Sequence, residues 1–186
     1  MFGCIVDPKI SLQLLQPHHA EAIFAVVEQN RQHLRAWLPW VDENHSSEDT
    51  HKFIQSSLHH LAEMRGVSCG IWFNDQFVGC IDLRRIDKTS HCAEIGYWLS
   101  AGHQGKGIMT RSCRRMITYA FEELRLHRLV IRAAVDNQRS RAIPEQLGFT
   151  QEGIERQIFW LHDRYLDLVN YSLLNDEWQV RKGLSQ

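Results

Sequence analysis

A short polar segment with two glycines is the part of this sequence best suited to do chemistry. It reads Gln104, Gly105, Lys106, Gly107 and Ile108, and it lies where a predicted strand ends and a predicted amphipathic helix begins. The first N–H groups of a helix have no partner within the helix, and the helix dipole places partial positive charge there. Glycines let the main chain approach a phosphate closely. The segment therefore predicts a phosphate-binding turn, although two glycines also suit a tight turn without a ligand.

Two common nucleotide-binding loops do not fit this segment. The mononucleotide loop needs glycine five residues before Gly105 and Ser or Thr after Lys106, but Ser100 and Gly107 stand there. The dinucleotide loop needs a third glycine where the chain has Thr110, and it follows a parallel βαβ unit rather than the antiparallel strands predicted here. The phosphate must therefore belong to another kind of ligand.

Apolar periodicity places the turn within a series of helices and strands. A helical stretch from Pro17 to Leu34 follows a first strand near 11–15, and a second helix begins near Ser46 or Ser47. The later predicted elements are strands over 69–73 and 76–83 around a turn at 74–75, a strand over 92–99, a helix over about 109–124, a strand over 127–135, a helix over 140–147, and two strands between 151 and 174 joined near 162–163. The polar tail, 175–186, is expected to fray.

Composition limits the classes of protein to consider. A chain of 186 residues with 44% hydrophobic residues predicts one globular domain over 1–186, with its core at about 11–174. The 21 Lys and Arg against 22 Asp and Glu disfavour a general nucleic-acid binder. Five scattered cysteines without a C-x-x-C pair predict reduced thiols and no metal site. With no apolar run long enough to cross a bilayer, we expect a cytoplasmic protein with no membrane contact.

Four short segments together carry a family resemblance. They are residues 94–99 (Glu-Ile-Gly-Tyr-Trp-Leu), 104–110 (Gln-Gly-Lys-Gly-Ile-Met-Thr), 137–140 (Asn-Gln-Arg-Ser) and 147–149 (Leu-Gly-Phe). In this order they resemble the GNAT superfamily of acetyl-CoA-dependent N-acetyltransferases, and most closely its RimJ/RimL-type branch, which acetylates ribosomal-protein N-termini. The resemblance spans about residues 11–174. It implies an α/β fold with a central, mostly antiparallel mixed sheet flanked by helices.

The resemblance also implies a reaction. Acetyl-CoA is the expected co-substrate, and its acetyl group is expected to pass directly to a primary amine without a covalent enzyme intermediate. The expected acceptor is a protein N-terminal α-amine of the ribosomal type. Two alternatives stay open: a small-molecule amine such as a polyamine, an aminoglycoside or a peptide-like toxin, and a non-catalytic CoA-binding module. A homodimer is also open.

Family members bind CoA largely through main-chain groups. The matching loop holds the CoA diphosphate with N–H groups, and the matching strand, 94–99, carries a bulge whose amides hold the pantetheine and polarise the thioester carbonyl. The resemblance assigns these residues to the cofactor: Trp98, Leu99, Gln104, Gly105, Lys106, Gly107, Ile108, Met109, Asn137 and Ser140.

Catalytic roles follow less directly from the resemblance. Ser140 is expected to serve the departing thiolate together with Asn137, although both residues are also good helix caps. Pro144 and Phe159 occupy the positions of the family's acid and base, and neither can transfer a proton. Glu94 is then the best remaining carboxylate for a base, although a strand glutamate is more often solvated or ion-paired.

The segment between the first two helices is expected to border the acceptor. Trp37 and Trp40 would form aromatic walls and Asp42 would supply negative charge, a combination that suits a cationic amine. The alternative is that both tryptophans belong to the core and the acid to the solvated surface. His162 becomes a further candidate if the last hairpin folds over the site.

Overall fold

The computed structural model describes residues 3–183, and all its strands lie in one sheet. The strands are β1 (Gly3–Asp7), β2 (Ile10–Leu14), β3 (Val67–Phe73), β4 (Gln76–Asp87), β5 (Cys92–Leu99), β6 (Arg128–Ala134), β7 (Thr150–Leu161) and β8 (Arg164–Leu174). Their spatial order is β1-β2-β3-β4-β5-β6-β8-β7. All neighbouring pairs are antiparallel except β5 and β6, which are parallel. The expected mixed, mostly antiparallel sheet is confirmed.

Helices cover both faces of this sheet. They are α1 (Ala20–Gln29), α2 (Arg31–Arg35), α3 (Ser47–Ala62), α4 (Ile108–Thr118, continued by a π-helical turn Tyr119–Glu123), α5 (Gln138–Leu147) and α6 (Asn175–Gly183). Residues of α1 and α3 pack in one apolar cluster with Cys80, whereas residues of α4 pack in another with Ile81. Because neighbouring residues of a strand point to opposite faces, these two clusters lie on opposite sides of β4.

Local sequence chemistry explains the main boundaries. Asn74 and Asp75 join β3 to β4 with φ of 48° and 62°, a left-handed conformation that these residue types tolerate. The Ser46 side chain accepts a hydrogen bond from the Asp49 N–H and starts α3. Gly148, with φ of 80°, ends α5. The predicted turns and helix ends at these positions are confirmed.

The N-terminal third of the chain differs from the sequence prediction. Two strands, β1 and β2, replace the single predicted strand, and Ile10 is buried outside the predicted core. The helix predicted to run on to Leu34 is interrupted at Asn30, where φ is −118°. The Asn30 side chain donates to the Val26 carbonyl and accepts from the Ala101 N–H. A tertiary contact thus ends a helix that apolar periodicity alone would continue.

The described part of the C-terminal tail is helical rather than frayed as predicted, and residues 184–186 of that prediction lie outside the described residues. Residues 175–183 form α6, and Trp178 is only 5% exposed within the main core. A polar segment therefore docks through one aromatic side chain, which average polarity does not reveal. Pro144 also lies deeper in α5 than predicted, six residues after its first residue, Gln138.

Candidate active site

The parallel strands β5 and β6 diverge, and this opening organises the site. They pair only from Cys92 opposite Arg128 to Glu94 opposite Val130, although β5 continues to Leu99. Within residues 3–183, the edge of β5 over 95–99 that faces β6 has no strand partner. Its N–H and C=O groups are therefore available to a ligand in extended conformation.

The expected bulge within residues 94–99 is not present. Pairing between β4 and β5 is continuous from Gly79 opposite Leu99 to Arg84 opposite Glu94. The register shifts only beyond Arg84, where Arg85 has φ of 54°. The available amides of β5 thus arise from divergence of the strands rather than from a bulge in β5.

The glycine turn has the geometry expected for anion binding. Gly105 and Gly107 have φ of 73° and 68°, and α4 then begins at Ile108 without a side-chain cap on its first N–H groups. Ile108 and Met109 bury their side chains in the core, so only their main chain faces the turn. A free helix N-terminus preceded by two left-handed glycines leaves several N–H groups in one place.

Side chains around the turn fix its conformation. The Arg111 guanidinium donates to the carbonyl oxygens of Lys106 and Gly107 and pairs with Asp7. The Lys106 Nζ lies 5.9 Å from the ring centre of Phe73. Because the carbonyl groups are bonded inward, the N–H groups are left for a ligand.

Gln104 connects the turn to helices on both sides. Its Nε2 lies 2.9 Å from His33 Nε2 on α2, and its Oε1 accepts from Arg139 on α5. The loop predicted to bind CoA is thus hydrogen-bonded to α2, which leads directly into the segment predicted to bind the acceptor.

Asn137 and Ser140 meet Tyr97 at the opening between β5 and β6. Asn137 Oδ1 accepts from the Ser140 N–H at 3.1 Å and caps α5, as its residue type predicts. The Ser140 hydroxyl donates to Tyr97 Oη at 3.4 Å, and Tyr97 donates to the Ser140 carbonyl at 3.0 Å. Burial raises the pKa of Tyr97 well above its usual range, so the phenol keeps its proton.

Pro144 explains why the Ser140 carbonyl is available to Tyr97. In a regular helix this carbonyl would accept from the N–H of the residue four positions later, and a proline there has none. Tyr97 supplies the missing donor. Sequence reasoning noted that Pro144 cannot be the acid but missed Tyr97, the hydroxyl that lies beside it.

Glu94, the predicted base, is held in a cluster of arginines. Arg84 contacts its Oε1 at 2.5 Å, and Arg85 and Arg132 contact its Oε2 at 3.2 and 2.8 Å. The Glu94 side chain is only 7% exposed. Burial raises its pKa, but Arg84 and Arg132 outweigh this and hold the pKa below its usual value. A carboxylate paired in this way is a weak base, so the structure disfavours the predicted role.

Asp82 is a half-buried carboxylate that sequence reasoning did not single out. It lies on β4 opposite Gly96, and its Oδ1 has neither solvent contact nor a hydrogen-bond partner within residues 3–183. Burial raises its pKa to about 6, although Ser68 and Arg84 act in the opposite direction. A signal was present, because this acid stands between apolar residues of a central strand, Ile81 and Leu83.

The residues predicted to border the acceptor lie together beyond α2. Trp40 packs against Trp98 of β5 with ring centres 6.0 Å apart, and Trp37 is half-buried nearby in the chain. Asp42 is exposed and pairs with Arg35, which lowers the pKa of its carboxyl group. The Asp42 carboxylate is therefore already occupied by a cation of the chain.

The tip of the β7–β8 hairpin reaches this segment. His162 Nε2 lies 2.7 Å from the Arg35 carbonyl oxygen, and its Nδ1 lies 3.4 Å from Asp42 Oδ2. The hairpin thus folds over this segment, as a role for His162 in the site requires. Both nitrogens of the His162 ring, however, already contact groups of the chain. His162 holds the hairpin against the acceptor segment.

Comparison with known proteins identifies the family to which this geometry belongs. A family model described as an acetyltransferase (GNAT) domain matches residues 9–150. The chain belongs to the GNAT acetyltransferases. As a member it is an acetyl-CoA-dependent N-acetyltransferase.

Similar GNAT proteins extend over almost the whole chain. A Bacillus subtilis (strain 168) protein with the provisional name ribosomal N-acetyltransferase YdaF is 42% identical over 98% of this chain and 100% of its own. The ribosomal-protein-serine acetyltransferase of Escherichia coli (strain K12) is 31% identical over 92% of this chain and 96% of its own. A solved structure of RimL, a ribosomal L7/L12 α-N-protein acetyltransferase in complex with coenzyme A, has a TM-score of 0.90 at 28% identity, covering 93% of this chain and 98% of that one.

None of the helices within residues 3–183 is both long enough and apolar enough to cross a bilayer.

Proposed function

We propose that this GNAT enzyme acetylates the N-terminal α-amine of a ribosomal protein. The observation that carries the proposal is the end-to-end likeness to two relatives named for ribosomal proteins, at 42% and 31% identity. The reaction would take place in the cytoplasm, where acetyl-CoA and new ribosomal proteins are both present.

The chemistry of the acceptor agrees with this proposal. An α-amine with a pKa of about 7.8 is roughly one-seventh neutral at pH 7, whereas a lysine amine at about 10.4 is neutral only a few times in ten thousand. Glu94, the carboxylate on β5, is neutralised by arginines and is a weak base. Such a site favours an amine that is easily deprotonated.

Each part of the site then has a role in the transfer. The N–H groups from Gly105 to Met109 would hold the CoA diphosphate, and the open edge of β5 would hold the pantetheine and the thioester carbonyl. Tyr97 and Ser140 would supply the proton that the departing thiolate takes up. Oriented amides at a developing oxyanion are worth about 3–4 kcal/mol, and positioning of the amine contributes more.

The acceptor peptide would enter beneath the hairpin tip. Trp37 and Trp40 would contact its first residues, while Asp42 would hold the edge of this entrance through His162 rather than bind the amine itself. The homodimer considered from the sequence stays a prediction, which light scattering of the purified protein tests.

The acceptor is tested by comparing amines with the purified enzyme. Peptides that match ribosomal-protein N-termini are assayed with acetyl-CoA beside the same peptides blocked at the α-amine and carrying one internal lysine, and mass spectrometry locates the acetyl group. We expect kcat/KM to be at least about 100-fold higher for the free α-amine, in line with the difference in neutral fraction.

Other results would change the assignment. Equal or better turnover of spermidine or an aminoglycoside would contradict a protein acceptor. Tight CoA binding without acetylation of any amine would indicate a CoA-binding module instead.

A further inference from the structure

Three arginines surround Glu94 and take no part in the proposed transfer. We call them the arginine cluster: Arg84 and Arg85 near the end of β4, and Arg132 on β6. Arg84 contacts Glu94 Oε1, and the other two contact Oε2. Their shared contact with one carboxylate places all three guanidinium groups on the same face of the sheet.

The arginine cluster and the acceptor segment lie on one face of the sheet. Glu94 and Trp98 are four residues apart on β5, so their side chains point to the same face. Trp98 contacts Trp40 of the acceptor segment, with ring centres 6.0 Å apart. Tyr97 points to the opposite face, where it bonds to Ser140 of α5. An acceptor held at Trp40 therefore approaches β5 from the face that carries the arginine cluster.

Guanidinium groups flank the opening between β5 and β6 on this face. The two strands last pair at Glu94 and Val130, so Gly96 belongs to the part of β5 whose edge toward β6 has no strand partner within residues 3–183. A Cβ on Gly96 would lie 3.1 Å from Arg84 Cζ, so the Arg84 guanidinium lies over this glycine. Arg132 follows Val130 by two residues on β6 and donates to Glu94 at 2.8 Å. A ligand at the opening therefore has a guanidinium beside each strand.

The guanidinium groups are more exposed to solvent than the carboxylate that they share. The side chains of Arg84 and Arg85 are 55% and 70% exposed, whereas that of Glu94 is 7% exposed. Within residues 3–183, Arg84 Nη1 and the Nε and Nη2 atoms of Arg85 have no hydrogen-bond partner. These N–H groups are left for a ligand, and a guanidinium fork matches the geometry of a carboxylate.

Other carboxylates on this face do not cancel the positive charge that a ligand meets. Glu155 pairs with Arg132 at 3.3 Å and is therefore already engaged. Asp82, a further carboxylate close to Arg84, has an Oδ1 without solvent contact. The three guanidinium groups exceed the two carboxylates that contact them, Glu94 and Glu155, by one charge. A ligand that arrives from solvent consequently meets positive charge first.

We infer that the arginine cluster binds an acidic side chain of the acceptor, within the first few residues after the reacting α-amine. The enzyme would then select ribosomal-protein N-termini that carry Asp or Glu at such a position. This inference rests on the proposed function, because it takes the acceptor to be a peptide. The same charge disfavours polyamines, whose additional ammonium groups would lie beside guanidinium groups.

The inference is tested first on the wild-type enzyme with matched peptides. Each pair of peptides shares its N-terminal residue and differs only in Glu or Gln at position 2, 3 or 4, because an extended chain advances about 3.3 Å per residue. We expect kcat/KM to be about tenfold higher for the Glu peptide at one of these positions, as for a hydrogen bond to a charged group. At 1 M NaCl the preference should fall to about twofold, since the partners are exposed to solvent. Glu near the amine slightly raises the pKa of the free amine, which acts against this preference.

Substitutions in the arginine cluster then test which groups carry the preference. The ratio of kcat/KM for the Glu and Gln peptides is compared within each variant, so a general loss of stability or activity cancels. Arg84→Gln should lower this ratio from about 10 to about 2, whereas Arg84→Lys keeps the charge and should retain an intermediate ratio. Arg85→Glu should favour a Lys peptide over the Glu peptide, because the net charge of the cluster is then reversed.

Arg115→Gln is the matched control for these variants. Arg115 lies on α4, which packs against the opposite face of the sheet, and it pairs with Glu123 at 3.4 Å. The substitution removes the same charge from the chain but not from the acceptor face, so the ratio should stay at its wild-type value. Unfolding temperature and the Kd of CoA are measured for all variants.

Two results would overturn the inference. One is an equal kcat/KM for Glu and Gln peptides at every position with the wild type. The other is a preference that Arg84→Gln and Arg85→Glu leave at the value seen in Arg115→Gln. If Arg84→Gln does not fold, Arg85→Glu decides, because Arg85 is the more exposed of the two arginines.

Failure of the proposed function gives a different result. If the enzyme acetylates peptides without regard to acidic residues, only this inference falls. If it acetylates no peptide but accepts spermidine or an aminoglycoside, the proposed function falls and this inference falls with it.

Discussion

The two sides of this candidate active site differ in the kind of group that they offer to a ligand. On the CoA side that we propose, main-chain groups of the glycine turn and of the β5 edge would face the ligand, and side chains such as Arg111 hold them in place. On the acceptor side that we propose, the groups are side chains from distant parts of the chain, including Trp40, Asp82 and Glu94. Local sequence determines the first kind of site, whereas tertiary packing assembles the second.

This difference indicates which side of the site determines substrate specificity. A main-chain cradle needs little more than glycines and a helix start, so many sequences can build it. The acceptor side depends on which charges neutralise each other, as the contrast between the paired Glu94 and the unpaired Asp82 oxygen demonstrates. Substitutions on the two sides should therefore fail in different ways.

The largest effect is expected on the CoA side. Gly107→Val places a β-branched residue at φ of 68°, which should distort the turn and raise the Kd of CoA about 100-fold. Gly102→Ala is the matched control, because a Cβ there meets no atom within 4 Å and the backbone is not left-handed. Calorimetry measures both, and equal affinities for the two variants would contradict a main-chain cradle.

The two carboxylates should respond to pH with opposite signs. The folded-state pKa of Asp82 is raised, so its contribution to stability is present below about pH 3.8 and is lost as pH rises through about 6. Asp82→Asn should therefore gain stability relative to wild type over this range, by about 3 kcal/mol at most for two pKa units. Chemical denaturation at pH 4 and pH 7 measures the change.

Glu94 provides the other half of this test. Because its pKa is lowered, its contribution is present above its unfolded value of 4.5 and is lost as pH falls through the lower folded value. Glu94→Gln leaves three arginines without their shared partner and should destabilise the fold by about 2–3 kcal/mol at pH 7. If both variants shift stability in the same direction at pH 7, the contrast between the carboxylates is wrong.

Tyr97 lies between the two sides of the site, and the substitution Tyr97→Phe tests its role there. Tyr97→Phe removes the donor to the Ser140 carbonyl and the hydroxyl proposed to pass a proton toward the thiolate. We expect kcat to fall about tenfold with the KM for acetyl-CoA nearly unchanged. Single-turnover rates measure the chemical step, and a change confined to KM would point to a positioning role instead.

The smallest effect is expected at the rim of the acceptor side. Trp37→Ala should raise the KM for the acceptor about fivefold with little change in CoA affinity, because Trp37 is only half-buried and lies beyond α2. Asp42→Asn serves for comparison and should change acceptor KM less, since its carboxylate is paired with Arg35. Unchanged acceptor KM in a stable Trp37→Ala protein would remove this segment from the cleft.

The fold was largely predictable because most of its information is local. Apolar periodicity and turn residues such as Asn74 and Gly148 mark elements within a few residues of their own positions. The exceptions were long-range: Asn30 ends a helix by bonding to Ala101, and Trp178 anchors a polar tail in the core.

The candidate site was predictable on one side only. Glycines and the start of a helix can be recognised in the sequence. The ion pairing of Glu94, in contrast, depends on Arg132, which is 38 positions away. Tyr97 was missed because its partner, the Ser140 carbonyl, is available only through the placement of Pro144. Sequence reasoning identified residue types but could not count which of their atoms were already bonded.

The side chain of Gln104 joins His33 to Arg139 and so spans the seam between donor and acceptor sites. A ligand that changes the hydrogen bonds of this amide at the glycine turn therefore also changes those made by α2. Thermodynamic linkage makes any coupling between two binding sites equal in both directions, so this single amide is the shortest connection through which binding at one site would alter affinity at the other.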